Sequence, residues 1–503
     1  MNNAPPRAGP TALALLLPLA LAQFIASYAA SNMTVAVSNI ANDLHTDVHG
    51  VQVTITFFTL TMAALMIPGS KLTDIWGRQA CFRLGLVTYG AGALIALLAP
   101  GLGVLMVGYS ALEGIGSALM IPPIYILVTV ITTDLPSRAR AFGAVSGAAG
   151  IGAAAGPLIG GLVTTTISWR ASFLLQVLVV AVIFALGLRV SYPRRAGARP
   201  QFDLLGAILS AAGLFFIVLG ILQSGTYGWF QARKDFAIGS VVLIEQGGVS
   251  PVWPIIAIGA LILLWFFLHI RRREQAHKEP LLSTRLFKSR TSNLGLFTQN
   301  IQWLVLQGSF FVISVFLQTQ RSYSAIETGL ILTPATAGVL LSSAIAGGLA
   351  RRCSQRTLVR GGFVLTTTGM VLLLLLGSVF TSGVLALVPG LLLMGLGVGV
   401  MLTASVNVVQ SSFPDSEQGE ISGLSRSVSN LGSSLGTAIV GSVLVAASAP
   451  AAGPFGRALI ALVVIAVLGL GAAMLLPPGP IATQPSTEAP PRGRDGRKVE
   501  QWS

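Results

Sequence analysis

The sequence predicts an all-α integral membrane protein with 14 transmembrane helices, grouped as six, two and six. Of its 503 residues, 53% are hydrophobic and only 10% are charged, which is more apolar surface than one soluble core could enclose. The apolar residues occur in runs of about 20, the length that crosses a bilayer as a helix. The charged residues lie mainly between these runs.

Each apolar run is bounded by Pro, Gly or charge, and we expect each to form one span. The predicted spans are residues 11–39, 51–69, 82–99, 103–131, 141–165, 171–189, 204–224, 252–270, 292–318, 327–349, 361–380, 384–406, 423–448 and 457–476. The first run, with Arg7 before it and small residues near Ala29, imitates a secretory signal peptide. Because it continues as an amphipathic span, we interpret it as the first helix, with a cleaved signal as the alternative.

The basic residues orient the chain. Most of the 31 Lys and Arg residues lie on the same side as residues 69–79, a charged turn between the second and third spans. Since Lys and Arg are retained on the cytoplasmic side, this side and both termini are predicted to be cytoplasmic, in a bacterial inner (plasma) membrane. The asymmetry accounts for the net charge of +14 without nucleic acid as a partner. Cys81 and Cys353 fall at cytoplasmic ends of spans, so no disulfide is expected.

The loops at residues 190–203 and 271–291 are the most basic in the chain, and they bracket the seventh and eighth spans. We therefore predict an N-terminal six-helix bundle over 1–190, an inserted helix pair over 191–291 and a C-terminal six-helix bundle over 292–476. The pair is joined by an outer loop at 225–251, in which Val241 to Ile244 could form a short hairpin. Residues 477–503, rich in Pro, Gly and charge, are expected to form a disordered cytoplasmic tail.

The turn at 69–79 reads GSKLTDIWGRQ. Gly69 and Gly77 permit a tight backbone path, and Asp74 supplies a hydrogen-bond acceptor. Lys71 and Arg78 supply the positive charge that stays on the inner face.

This turn resembles the loop after the second helix of the major facilitator superfamily, G-x-L-x-D-R-x-G-R-R. Leu72, Asp74, Gly77 and Arg78 match, whereas Ser70, Ile75 and Gln79 depart from the pattern. A weaker echo without an acid, GGLARRCSQRTLVRGG, falls between the tenth and eleventh spans and suits a repeated bundle. With the six, two, six grouping, nearly the whole chain resembles the 14-helix drug:proton antiporters of that superfamily.

The resemblance implies a cytoplasmic gate. It places the start of the thirteenth span, near Gly423, against the second span and next to Asp74, with Arg426 one turn further in. A helix N-terminus carries partial positive charge, so we expect Asp74 to help hold the cytoplasmic side shut. The expected gate residues are Gly69, Lys71, Asp74, Gly77, Arg78 and Arg426.

A second motif, GAAAGPLIGG at residues 152–161, lies in the outer half of the fifth span. Small residues at four-residue spacing clear one helix face, and a proline bends the helix. The segment resembles the superfamily's antiporter signature at Gly152, Gly156, Pro157, Gly160 and Gly161. Antiport is the implied function, and tight packing without bearing on transport direction is the alternative. We expect the two bundles to meet at Gly156.

Glu113 is the one acid of 17 predicted near the middle of a span. A charge at that depth costs roughly 2.5–3.5 kcal/mol on insertion scales, so Glu113 should face the bundle interior and be protonated for part of the cycle. We predict that it couples transport to protons. A permanently protonated, structural Glu is the alternative.

Two departures from the antiporter pattern bear on this prediction. The family's R-x-x-Q-G in the fourth helix reads SALEG here, with Ser110 at the Arg and Glu113 at the Gln. The family's first-helix acid falls at Ala29. Either Glu113 has taken over the proton site, or proton coupling is absent.

Polar residues form stripes on three spans, which we predict to line a substrate cavity between the bundles. Such a surface suits an amphiphilic organic molecule better than a small hydrophilic anion, for which inward-facing Arg or Lys would be expected at the midplane. Ordinary polar packing between helices is the alternative. The stripe residues are Gln23, Ser27, Ser31 and Thr34; Tyr109, Ser110 and Ser117; and Asn300, Trp303, Gln307 and Phe310.

We expect a monomeric secondary transporter that exports amphiphilic or hydrophobic organic compounds in exchange for protons. The sequence lacks a Walker motif for ATP, and its four histidines lack metal-ligand spacing, so neither a cofactor nor a metal is predicted. An uncoupled facilitator or a lipid exporter of the same fold is the alternative within this class. An enzyme would need a cluster of catalytic groups, and a receptor or scaffold would need an extended soluble domain; neither is found in the sequence.

Overall fold

The computed structural model describes residues 12–131, 135–188, 201–238, 241–350, 352–379, 384–413, 417–446 and 453–477. The predicted tail after residue 477 and most of the basic loop at 190–203 lie outside the described residues. Within them, 13 helices are long and apolar enough to cross a membrane. The prediction of an all-α integral membrane protein is therefore confirmed. The terms cytoplasmic end and outer end follow the orientation predicted from the basic residues.

The N-terminal part of the chain packs as a helical bundle. Its fourth span changes helix type within the membrane, from α-helix to π-helix and back. The elements are α1 (Ala12–Asn32), a 3-10 turn (Met33–Val35), α2 (Val37–Asp43), α3 (Val48–Trp76), α4 (Arg78–Leu97), α5 (Leu102–Leu105), the π-helix (Met106–Glu113), α6 (Gly114–Ile131), α7 (Leu135–Thr166) and α8 (Trp169–Leu188).

The inserted pair consists of α9 (Leu204–Tyr227) and α10 (Val252–Gln275), which pack on each other. In the outer loop between them, β1 (Phe236–Ile238) pairs antiparallel with β2 (Val241–Ile244), so the predicted hairpin is confirmed. Helix α9 also packs on α3, where Phe215 stacks on Phe57 with ring centroids 5.9 Å apart.

The C-terminal part forms a second helical bundle after a short 3-10 turn, Thr284–Phe287. Its helices are α11 (Arg290–Thr319), α12 (Ala325–Leu349), α13 (Gln355–Val379), α14 (Val388–Gln410, after a 3-10 turn at Val384–Leu387), α15 (Gln418–Ala446) and α16 (Pro454–Met474). Helix α14 packs between α12 and α13, while α11 packs on α15 and α16.

Helix α15 corresponds to the thirteenth predicted span but is less apolar than the other 13. It is 29 residues long and rich in serine, and it packs against α3, α9 and α11, so protein rather than lipid covers much of it. The serine hydroxyls find partners there: Ser427 Oγ donates to the Ala63 carbonyl at 2.5 Å, and Ser434 Oγ donates to the Thr56 carbonyl at 3.1 Å. Enclosure by three neighbours explains how a polar helix can cross the membrane.

The prediction that residues 69–79 form a turn is wrong for most of this segment. Helix α3 continues through this segment to Trp76, and the chain reverses only at Gly77, whose φ of 94° is in the left-handed region. Gly69 serves helix packing rather than a turn, because a Cβ at this position would run into the carbonyl of Ala118 on α6. The segment contains no interior proline or exposed glycine that would stop the helix earlier.

Asp203, the N-cap of α9, anchors the inserted pair at its cytoplasmic end. Its carboxylate accepts hydrogen bonds from the Gly206 amide (3.0 Å), from His269 Nε2 on α10 (2.9 Å) and from the Leu281 amide (3.2 Å). Arg273 Nε lies 3.5 Å away. Burial alone would raise the pKa of Asp203, but the bonds from His269 and Gly206 outweigh it and lower this pKa below its usual value. The carboxylate is therefore ionised at neutral pH.

We predict that Asp203→Ala lowers the free energy of unfolding by roughly 2–3 kcal/mol, because it removes several charge-assisted hydrogen bonds at once. Asp47→Ala is the matched control. Asp47 caps α3 through one exposed bond to the Gly50 amide (2.8 Å), so its loss should cost only about 1 kcal/mol. Thermal unfolding of both variants in detergent at pH 7 measures the difference. Equal losses would show that Asp203 is no more than a helix cap.

Candidate transport site

Glu113 is the last residue of the π-helix and is completely buried inside the N-terminal bundle. The phenols of Tyr89 on α4 and Tyr109 on the π-helix lie near its carboxyl group. Among the described residues, none hydrogen-bonds either carboxyl oxygen with good geometry. A buried carboxylate without partners is costly, so Glu113 lies where taking up a proton has a large effect on the energy of the protein.

The π-helix places Glu113 directly against the backbone of α4. A Cβ at Gly92 would lie 2.7 Å from the Glu113 amide nitrogen, and a Cβ at Gly108 would lie 2.6 Å from the Ala96 amide nitrogen. Only glycine permits these contacts, and they hold the widened helix between its neighbours. Single π-helical segments inside α-helices are rare and occur frequently at functional sites.

The two tyrosines connect the surroundings of Glu113 to α1 and α8. Tyr89 donates to Gln176 Oε1 on α8 at 2.5 Å, and its hydroxyl lies 3.3 Å from the Ile25 carbonyl oxygen on α1. Tyr109 donates to the Ala29 carbonyl at 2.9 Å. Ala29 is the position that matches the family's first-helix acid. The backbone at this position is therefore hydrogen-bonded to Tyr109, which lies four residues before Glu113.

The structure brings only part of the predicted cavity surface to the space between the bundles. Gln307 Nε2 on α11 donates to the Ala30 carbonyl on α1 at 3.2 Å, so the outer halves of these two helices touch. Ser110 donates to the Thr54 carbonyl within the N-terminal bundle at 2.7 Å. Ser27, Asn300 and Trp303 are half-buried, whereas Gln23, Ser31, Thr34, Tyr109, Ser110, Ser117, Gln307 and Phe310 are buried.

The start of α15 lies against the end of α3, at the place where the sequence predicts a cytoplasmic gate. A Cβ at Gly423 would lie 3.3 Å from Ser70 Cβ, and Lys71 Nζ lies 3.7 Å from Glu420 Oε1. Asp74 lies on the last turn of α3. The ion pair between Lys71 and Glu420 was not predicted, because the register between two helices cannot be inferred from one sequence.

Arg426 makes its contacts across the bundles with Tyr125 on α6. The guanidinium donates a hydrogen bond to the Tyr125 hydroxyl, and its carbon atom lies 4.8 Å from the centre of the ring. The same hydroxyl lies 3.4 Å from Gln23 Oε1 on α1. The sequence offered no sign of this contact, because Tyr125 stands in a continuous apolar run.

The small-residue motif on α7 has two contact faces. Gly152, Gly156 and Gly160 face α1 of the same bundle, where a Cβ at Gly156 would overlap Ser31. The expectation that the bundles meet at Gly156 is therefore wrong. They meet one residue after Gly160, where a Cβ at Gly161 would lie 3.1 Å from the Ile326 Cα on α12. A periodic motif shows which residues are small but not which helix each one faces.

A cavity of about 410 Å³ opens within the C-terminal bundle at its cytoplasmic end. It is not the predicted cavity between the bundles. Its lining comes from α11, α13 and α14 and from the ends of α12 and α16, and includes Thr291, Cys353, Gln355, Arg356, Asn407 and Ser411.

Two helical bundles that touch through glycines and serines, a buried acid inside one of them and a cation at their contact are the features expected of a membrane transport protein. The chain belongs to the Major Facilitator Superfamily, whose family model matches residues 19–243 and 236–437. Membership confirms the predicted fold and a transport protein rather than an enzyme.

Curated relatives match most of the chain. It is 28% identical to the puromycin resistance protein pur8 of Streptomyces alboniger, over 86% of this chain and 82% of that protein. It is 28% identical to the cephamycin export protein CmcT of Amycolatopsis lactamdurans, over 93% and 92%. It is 27% identical to the multidrug resistance protein Stp of Mycobacterium tuberculosis, over 87% and 76%.

Among solved structures, the peptide transporter POT in complex with sulfate aligns with a TM-score of 0.64 over 92% of this chain and 94% of that one. The two sequences are 14% identical, so the likeness concerns the fold alone.

The two faces of α7 predict different effects of the same substitution. Gly161→Leu should reduce transport strongly while leaving thermal stability close to wild type, because it blocks only the contact between the bundles. Gly156→Leu should instead destabilise the folded protein by roughly 1–3 kcal/mol, the usual cost of overpacking, because it overlaps α1 inside one bundle. Transport into vesicles and thermal unfolding of the purified variants separate the two effects.

Gly147→Leu serves as the control on the same helix, since a Cβ at Gly147 meets no atom within 4 Å. It should leave both transport and stability unchanged. Normal transport by Gly161→Leu would show that the α7–α12 contact does not need to close.

Proposed function

We propose that this protein exports amphiphilic or hydrophobic organic compounds from the cytoplasm in exchange for protons, by alternating access. The observation that carries the proposal is the fully buried Glu113, whose carboxyl oxygens accept no hydrogen bond of good geometry from the described part of the chain, inside a bundle of a transporter fold. The named relatives support the substrate class, because puromycin, cephamycin and the drugs of a multidrug resistance protein are organic molecules. The bacterial plasma membrane is the proposed location.

Glu113 suits a proton carrier because its two protonation states differ so much in cost. In a dry bundle the neutral carboxyl is tolerated and the carboxylate is not, unless water or a donor reaches it. Tyr89 and Tyr109 lie near Glu113, and both bond to a backbone carbonyl or a side-chain amide on other helices. A movement of α1 or α8 would therefore shift the donors around Glu113 and change its proton affinity.

The contacts between the bundles support alternating access. At the outer ends, α7 meets α12 at Gly161 and Gly329, and α1 meets α11 through one hydrogen bond from Gln307. Backbones that meet at glycines can separate without unlocking interdigitated side chains. At the cytoplasmic end, the proposed gate combines Asp74 and its motif with the Lys71–Glu420 pair, which is half-exposed and easily broken.

An uncoupled facilitator is the second candidate. Ser110 and Ala29 occupy the positions at which related antiporters carry Arg and Asp, and Ser110 is engaged with the Thr54 carbonyl. In that case Glu113 would be a permanently protonated structural residue. The two candidates predict different effects of replacing Glu113 with a residue that cannot exchange a proton.

We predict that Glu113→Gln abolishes uphill efflux driven by a pH gradient and leaves downhill equilibration of substrate largely intact. Gln keeps the shape of the side chain but cannot exchange a proton. Glu113→Asp, one methylene shorter, should keep partial coupling. The measurement is transport of a drug such as puromycin by inverted vesicles, with and without an imposed pH gradient.

Glu327→Gln is the matched control, because Glu327 is an exposed carboxylate in the capping box of α12. It should transport in both assays as the wild type does. Normal gradient-driven transport by Glu113→Gln would overturn the proton-site proposal and favour the facilitator.

A further inference from the structure

Arg426 is a cation held between the two bundles, and the described residues provide it with no carboxylate partner. It is the eighth residue after the start of α15, about 12 Å along the helix, and the third after Gly423, where the thirteenth span is predicted to begin on the cytoplasmic side. Its contacts are the hydroxyl and the ring of Tyr125. In the described part of the chain, no Asp or Glu lies within ion-pair distance of its guanidinium.

The acids nearest to Arg426 along α15 are engaged elsewhere. Glu420 pairs with Lys71 at 3.7 Å and accepts a hydrogen bond from the Ser283 amide at 3.2 Å. Glu417 lies 3.9 Å from Arg285. The cation is thus kept apart from the acids of its own helix.

The side of α15 that carries Arg426 is the more open one. Ser422, Arg426 and Asn430 recur every four residues and are half-buried, whereas Ser425, Ser427 and Ser429 between them are buried. Tyr125, which faces Arg426 from the other bundle, is also half-buried. Both partners of the contact can therefore be reached when the bundles part on the side from which an exporter loads.

A phenol and an aromatic face are weak partners for a guanidinium at this depth. Cation–π contacts contribute about 0.5–2 kcal/mol, and a neutral hydroxyl leaves the charge uncompensated. A carboxylate or sulfonate would bind the same guanidinium through two charge-assisted hydrogen bonds, which are roughly twice as strong as neutral ones. The Tyr125 hydroxyl then marks the place where an anionic group would sit.

We propose that Arg426 recognises an acidic group on exported amphiphiles. This acidic group displaces the Tyr125 hydroxyl from the guanidinium. This inference rests on the proposed function and names a substrate class within it: amphiphiles that carry one carboxylate or sulfonate. The aromatic ring of Tyr125 remains as an apolar wall beside the ligand.

The test uses two fluorescent probes with the same ring system. Anilinonaphthalene sulfonate carries one negative charge, and phenylnaphthylamine lacks it. Binding to the purified protein is measured by energy transfer from its tryptophans, with protein-free detergent as the baseline. Arg426→Gln should raise the Kd of the sulfonate about tenfold or more, which corresponds to 1.4 kcal/mol or more. It should leave the Kd of phenylnaphthylamine unchanged, and Arg426→Lys should fall between.

Tyr125→Phe provides a second variant that works in the opposite direction. It keeps the ring and removes the competing hydroxyl, so the sulfonate should bind more tightly than to the wild type. A sulfonate Kd that is unchanged or higher in Tyr125→Phe would overturn the displacement. If Arg426→Gln weakened the binding of both probes to the same degree, or changed the binding of neither, the role of Arg426 in recognition would be overturned.

Binding needs no pH gradient, so this result does not depend on proton coupling. Failure of the proposed function would appear as no binding of either probe by the wild type. Failure of the present inference alone would appear as binding of both probes that the Arg426 variants do not distinguish.

Discussion

Inside a membrane, every polar group must find its partner within the protein, and this constraint determines where the least apolar parts of this chain lie. Helix α15 is the clearest case, because its serines would be costly against lipid. They are buried against α3, α9 and α11, and two of them donate to backbone carbonyls of α3. The requirement places α15 between the two bundles and gives the transporter a polar, closely packed seam.

The same constraint explains why so much of the fold is predictable from the sequence. Runs of apolar residues mark the spans, and a lone acid such as Glu113 has to point into a bundle. Both features depend on the cost of exposing polar groups to lipid, which is a property of each segment alone. The hairpin at Val241–Ile244 is predictable for a similar reason, since its signal is local.

What could not be predicted depends on which helices meet. Gly156 and Gly161 belong to one motif, but the first faces α1 and the second faces α12. Gly69 is an apparent turn residue that instead lets α3 approach α6. Tyr125 is one aromatic residue in an apolar run, and only the arrangement of α6 beside α15 gives it a cation to bind. A single sequence contains the sizes and charges of these residues but not their partners.

Helix α1 connects the two sites on which the proposals rest. Its Ile25 and Ala29 carbonyls lie against Tyr89 and Tyr109, which flank Glu113. Two residues before Ile25, Gln23 lies against the Tyr125 hydroxyl that Arg426 holds. An anionic substrate that displaced this hydroxyl would alter a contact of α1, and a shift of α1 would alter the groups around Glu113. On these proposals, exchange of substrate for protons requires no contact between the substrate and Glu113, because both are linked to the same helix.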